Sequence, residues 1–144
     1  MNATAVLTIV GLVLFATLLG LLWRWRTGRV ETSRDSRVDL PEISADASAT
    51  LLQFSTAVCA PCKPTRVLLA SLADEYAGVE HVDIDLTHRA DLAARFNILQ
   101  TPTTLLLDGG GVVRGRIGGA PRAHDLRAAL EILLDTRHTD RTPS

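Results

Sequence analysis

The feature that most constrains the fold of this chain is a pair of cysteines, Cys59 and Cys62, separated by two residues. The mostly apolar residues 50–55 before the pair are typical of a buried strand, and residues 65–77 after it carry apolar side chains at helical spacing. A disulfide needs Cα atoms about 4.4–6.8 Å apart, which one helical turn supplies. The order of strand, Cys-x-x-Cys and helix indicates a redox-active thiol pair rather than a chance spacing.

The position of the pair predicts two unequal sulfur atoms. We expect the helix to begin at Cys59, where unpaired backbone N–H groups and the helix dipole favour a thiolate. Cys59 is then the exposed nucleophile, and Cys62, further inside, resolves the mixed disulfide. Pro61 suits the first turn, because a residue there has no N–H bond to lose.

The same motif has other interpretations. A zinc site needs two more ligands at matching spacing, yet the chain has no second cysteine pair and its four histidines are scattered. Haem attachment needs a histidine where Lys63 stands. A purely structural disulfide stays open, although so short a loop constrains the unfolded chain little. We therefore predict neither a metal site nor a cofactor.

An uncharged apolar run covers residues 5–23. As a helix it spans roughly 28 Å, enough to cross a bilayer core. Trp23 and Trp25 lie at the end of the run, where an interfacial aromatic belt would be. A cleaved signal peptide is the alternative, and it fits less well because the run is long and no basic residue precedes it. We predict a single-pass cell-membrane protein.

The orientation prediction rests on Arg24, Arg26 and Arg29, which follow the apolar run. The positive-inside rule then places the rest of the chain in the cytoplasm. The extracytoplasmic side is the alternative. The net charge of -1 gives no reason to expect a nucleic-acid partner.

The chain divides into four predicted parts. Polar, mixed-charge segments cannot bury enough apolar surface to fold alone, which identifies the linker. The parts are a transmembrane anchor at 1–25, a flexible linker at 26–48, a globular domain at 49–136 and a disordered tail at 137–144.

Further elements follow residue 77. Residues 79–85, 103–107 and 112–117 are predicted strands, and residues 89–96 and 121–134 are predicted helices. The first half of the domain needs a parallel crossover, whereas the Gly-rich turn at 109–111 makes the second half antiparallel. The fold class is therefore α/β, with a mixed sheet flanked by helices.

The domain resembles the thioredoxin superfamily over most of residues 49–134. The resemblance rests on Cys59-Ala60-Pro61-Cys62-Lys63 after a strand, on Thr101-Pro102-Thr103 opening a later strand, and on the Gly-rich hairpin and final helix. The whole chain resembles bacterial membrane-tethered thioredoxin-like proteins, many of which face outward.

The resemblance implies a thioredoxin fold and a substrate-binding surface. In the family, the proline that matches Pro102 is cis and faces the cysteine pair, and the backbone that matches Thr101 pairs with an extended substrate strand. Ala60 and Pro61 complete the expected substrate contacts. The alternative for Pro102 is an ordinary strand-opening proline.

Three residues depart from the family pattern. Val58 stands where thioredoxins have Trp, and Ala60 where they have Gly. Gln53 stands at the position of a buried Asp that helps move the proton of the resolving cysteine, and an amide cannot take up that proton. His81 lies roughly where the family has a lysine close to that Asp. Gln53 and His81 are therefore candidates for proton handling, and the alternative for His81 is a surface or strand-edge histidine.

The predicted function is that of a membrane-anchored thiol–disulfide oxidoreductase. Its expected partners are proteins with disulfides or thiols, together with an electron donor or acceptor that the sequence does not identify. The alternative is a redox-inert peptide-binding module with a structural disulfide. A further variant of the main hypothesis is an oxidant or isomerase outside the cell.

Overall fold

The computed structural model describes residues 2–26, 30–31 and 37–140. From β2 onwards, its helices and strands follow one another in the order that the sequence predicts. The helices are α1 (Ala3–Arg26), α2 (Cys62–Glu75), α3 (Ala90–Arg95) and α4 (Ala123–Asp140), and the strands are β1 (Val30–Glu31), β2 (Ala49–Ser55), β3 (Val79–Asp85), β4 (Thr103–Asp108) and β5 (Val113–Gly118).

Helix α1 is a candidate membrane span. Its segment Ala3–Leu22 has a mean hydropathy of 2.7, and none of the most apolar window is buried against the rest of the protein. Apolar side chains that face outward all round a helix favour a lipid environment over water. The helix covers nearly the same residues as the segment 1–25 that was predicted to be a transmembrane anchor.

The five strands form one mixed sheet in the order β1-β5-β4-β2-β3. Strand β2 pairs with β3 in parallel, because α2 crosses over the sheet between them. Strands β4 and β5 form an antiparallel hairpin, and β4 pairs antiparallel with β2. Strand β2 therefore lies inside the sheet, and all seven of its residues are buried.

Alternating side chains of β2 contribute to two hydrophobic cores, one on each face of the sheet. Leu52 and Phe54 belong to the core that includes Leu92 of α3. Leu51 belongs to the opposite core, which includes Leu69 of α2 and, from α4, Leu126 and Leu130. Helices therefore cover both faces, as predicted.

The folded domain begins earlier than the predicted linker boundary at residue 48. Val38 and Leu40 are only 4% and 8% exposed, and the Val38 N–H donates to the Gly111 carbonyl at 2.8 Å. The prediction followed the mostly polar composition of the segment and overlooked these two apolar residues at positions i and i+2. Both pack into the core that includes Leu92, called the α3-side core below. Residues 27–29 and 32–36 of the predicted linker lie outside the described residues.

The folded domain also ends later than the predicted boundary at residue 136. Helix α4 continues to Asp140, so the predicted disordered tail begins with four helical residues. Polar residues continue a helix readily once packing has formed its earlier turns. The last part of that tail, residues 141–144, lies outside the described residues.

Candidate active site

A disulfide joins Cys59 and Cys62 just beyond the carboxyl end of β2, and their Cα atoms are 5.4 Å apart. Cys59 lies in the loop and is partly exposed, whereas Cys62 is the first residue of α2 and is only 4% exposed. A dissolved thiol can therefore approach Cys59 more readily than Cys62. This difference in exposure supports the division of roles that the sequence predicts.

Helix α2 begins at Cys62 and not at Cys59, so that prediction was wrong. The reason is Pro64, which has no N–H to donate to the Ala60 carbonyl, so no ladder bond can form there. The first α-helical bond is the next one possible, from the Thr65 N–H to the Pro61 carbonyl at 3.2 Å. A hydrogen bond of the 3₁₀ type, from the Cys62 N–H to the Cys59 carbonyl three residues earlier, is 3.3 Å long and joins the loop to the helix.

The loop before β4 lies beside the cysteine loop. The Thr101–Pro102 peptide bond is cis, as expected, and Pro102 is buried. The hydroxyl groups of Thr56 and Thr101 lie 3.2 Å apart, within hydrogen-bonding distance. The Gly119 N–H donates to the Pro102 carbonyl at 2.8 Å, and a φ of 83° at position 119 explains the glycine.

Polar residues form a row across the sheet directly below Cys62. Gln53 of β2 lies opposite Thr104 of β4 and Asp83 of β3, so all three side chains leave the same face. Gln53 and Thr104 are fully buried. Asp83 pairs with Arg66 of α2. The row replaces what would otherwise be apolar core at this end of the sheet.

The amide of Gln53 links Cys62 to a histidine. Its Nε2 donates to the Cys62 carbonyl at 3.0 Å, and its Oε1 lies 3.3 Å from Nε2 of His81. The Cys62 carbonyl can only accept, which fixes the orientation of the amide. The Gln53 Oε1 can likewise only accept, so His81 must carry a proton on Nε2.

His81 is neutral over a wider pH range than a free histidine. Burial lowers its pKa, and the positive charge of Arg66 adds to that effect, whereas the negative charge of Asp83 opposes it. The ring is half-buried on the edge strand β3. The bond to Gln53 makes it part of the site as well as a strand-edge residue.

Two large apolar residues are exposed on the cysteine loop and on the loop before β4. Val58 is 96% exposed, and Leu99, two residues before Thr101, is 86% exposed. Ala60 and Pro61, which the resemblance assigns to substrate contact, are exposed as well.

Sequence reasoning missed Asp83 and Leu99. Asp83 could have been found from its position two residues after His81, on the same face of a predicted strand. The one sequence signal for Leu99 is that it is a large apolar residue in a loop, two residues before Thr101.

These features define a redox-active disulfide at the end of a central strand, next to a cis-proline loop. The family model for thioredoxin matches residues 39–131. The chain belongs to the thioredoxin family, and it is a thiol–disulfide oxidoreductase.

Relatives and solved structures agree with this assignment. Thioredoxin C-2 of Corynebacterium nephridii is 40% identical over 74 residues, which are 51% of this chain and 68% of that protein. The thioredoxin of Mycoplasma genitalium is 30% identical over 58% of this chain and 81% of its own length. Mitochondrial thioredoxin 3 of Saccharomyces cerevisiae, in its oxidized form, is 25% identical with a TM-score of 0.53, covering 61% of this chain and 81% of its own.

Proposed function

We propose that this protein is a membrane-anchored oxidoreductase that exchanges its Cys59–Cys62 disulfide with cysteine pairs of other proteins. The observation that carries the proposal is the disulfide itself, with one partly exposed and one buried sulfur, beside a cis-proline loop. The apolar helix α1 supports the anchor. Neither direction of electron flow needs a further cofactor, because sulfur atoms carry both electrons.

In the oxidising direction, a substrate thiolate attacks Sγ of Cys59. The Cys59–Cys62 bond breaks, a mixed disulfide forms, and Cys62 leaves as a thiolate that takes up a proton. The second substrate thiolate then attacks its own partner sulfur, which completes the substrate disulfide and releases Cys59 as a thiolate. In the reducing direction the same steps run backwards, with Cys59 as the attacking group.

Gln53 and His81 serve the proton step at Cys62 in this proposal. Gln53 holds the backbone of Cys62 through its 3.0 Å bond and so acts as a positioning residue. It cannot relay a proton, because its Nε2 and Oε1 are already committed as donor and acceptor. Neutral His81 is a base at neutral pH, and as a cation it would favour the Cys62 thiolate through charge.

An extended segment of the substrate binds along Thr101 and Pro102 in this proposal. The Thr56–Thr101 contact holds that loop beside the cysteine loop, which supports a shared surface. Ala60 and Pro61 are exposed next to Cys59, and their small or rigid side chains leave its sulfur accessible. Substrate contact is therefore expected on both loops at once.

The proposed orientation of the anchor follows the arginines after the span and places the domain in the cytoplasm, with the extracytoplasmic side as the alternative. Labelling intact cells with a membrane-impermeant thiol reagent, with and without prior reduction, distinguishes them. Labelling that needs cell lysis supports the cytoplasmic side. Labelling of intact cells after reduction supports the outer side.

The catalytic proposal is tested with Cys59→Ser and Cys62→Ser in the full chain in detergent micelles. Reduction of insulin by dithiothreitol should lose its dependence on the protein with Cys59→Ser. Cys62→Ser should instead accumulate a mixed disulfide through Cys59, because the resolving sulfur is missing. Activity of Cys59→Ser equal to that of the parent would refute the proposed roles.

A further inference from the structure

The path of the chain after α1 shows where the anchor joins the domain. Strand β1 runs antiparallel to β5, with Val30 opposite Ile117 and Glu31 opposite Arg116. Arg37 then bridges to Val112, the residue just before the other end of β5. The chain therefore first joins the sheet at the Ile117 end of β5, and Arg37 lies beside the residue that precedes β5.

The Ile117 end of the sheet is also the disulfide end. Ile117 lies opposite Thr104, and Thr104 lies opposite Gln53, whose amide contacts Cys62. The far end holds the first residue of β2, Ala49, opposite Asp108. At about 3.3 Å per residue, the seven residues of β2 place the two ends roughly 20 Å apart.

Chain length keeps this end close to the end of α1. Residues 27–29 separate Arg26 from Val30, so the two Cα atoms are at most about 14 Å apart whatever path the chain takes. Three strand spacings of about 4.8 Å then separate Val30 from Gln53 across the sheet, roughly 14 Å. A flexible linker over the whole of 26–48 would have allowed a reach of about 80 Å.

We propose that the disulfide end of the domain faces the bilayer surface, and that the partner is a membrane-embedded protein that presents a cysteine pair close to that surface. This inference rests on the proposed function and on α1 as an anchor. The exposed apolar side chains of Val58 and Leu99 lie on the two loops of the site and suit a partner with an apolar surface of its own. The exchange moves two electrons and two protons between one disulfide and one dithiol, so it balances without another reactant.

The orientation is tested by energy transfer from a labelled domain to acceptor lipids in vesicles that hold the full chain. In a Cys59→Ser, Cys62→Ser background, a dye is placed by Val58→Cys at the disulfide end or by Asp46→Cys near the start of β2. Both positions are exposed. Transfer from position 58 should exceed transfer from position 46 by about twofold, given an end-to-end length of roughly 20 Å.

A matched control inserts a Gly/Ser segment of about 20 residues between Thr27 and Gly28, which behaves as a flexible coil. The insertion should remove the difference between the two dye positions. Equal transfer from both positions without the insertion, or stronger transfer from position 46, would overturn the inference.

The consequence for partners is tested with a synthetic transmembrane peptide that carries a disulfide at the end of its apolar span. In vesicles, the prereduced parent protein should reduce this disulfide at least tenfold faster than the insertion variant, while both reduce soluble insulin equally. Equal rates on the peptide, with insulin reduction intact, refute this inference and leave the oxidoreductase proposal standing. Failure of both proteins on insulin refutes the proposed function itself.

Discussion

Replacing Gln53 by an acid would place a carboxyl group in a fully buried position below Cys62. The Cys62 carbonyl, which accepts from the Gln53 amide, has nothing to accept from an ionised carboxylate. Burial favours the protonated acid, because an ionised carboxylate would lose its hydration there. We therefore expect Gln53→Asp to introduce a carboxyl group whose pKa is raised by about 3 units, the lower end of the range for fully buried acids.

The raised pKa makes the stability of Gln53→Asp depend on pH. An acid with a higher pKa in the folded state binds more protons there than in the unfolded state, so stability falls as pH rises above about 4. At about 1.36 kcal/mol per pKa unit, the loss reaches roughly 4 kcal/mol near pH 7 and then levels off. Gln53→Asn is the matched control, because it has the same shortened side chain and no charge.

The measurement is urea unfolding of both oxidised full-length variants in detergent micelles, followed by circular dichroism from pH 4 to pH 8. The difference in unfolding free energy between Gln53→Asp and Gln53→Asn should be small at the acidic end and about 4 kcal/mol at the neutral end. A difference that stays flat across this range would show that the site hydrates a carboxylate. Such a result would contradict a water-free environment around Gln53.

Three further variants test other parts of the structure by urea unfolding. Burial lowers the pKa of His81, so on acidification this histidine is protonated in the unfolded chain before it is protonated in the folded one. The parent should therefore lose more stability between about pH 7 and 5 than His81→Gln does. Parallel curves of stability against pH for the two proteins would contradict this. Thr104→Val removes a buried hydroxyl that has no hydrogen-bond partner among the described residues, and it should raise stability by about 1 kcal/mol; a loss would indicate a missed partner. Phe54→Ala should cost about 3–5 kcal/mol, because the ring is fully buried in the α3-side core, and a cost below about 1 kcal/mol would refute that packing.

The parts of the fold that depend on the identity of single residues could be predicted from the sequence. Cys59, Cys62 and Pro102 were all recognisable because their chemistry has few substitutes. A mostly apolar run was enough to predict β2, and apolar residues at helical spacing were enough to predict the helix after the pair.

Features that depend on register or on a few residues were harder to predict. The row of Thr104, Gln53 and Asp83 becomes visible only when three strands are aligned, and each residue alone resembles an ordinary strand position. Strand β1 has two residues and lies in a polar segment, so no periodicity could reveal it. The start of α2 was predictable in principle, because Pro64 excludes a ladder bond to Ala60.

The two-residue strand β1 has a mechanical consequence for the domain. It lies between α1 and the point where Arg37 pairs with Val112, so a pull on α1 loads β1 first. If its few bonds to β5 open, the number of residues between α1 and the first pairing with the sheet grows from three to ten, and their maximal span grows from about 14 Å to about 38 Å. The stability of one short edge strand therefore sets how far the domain can move away from α1.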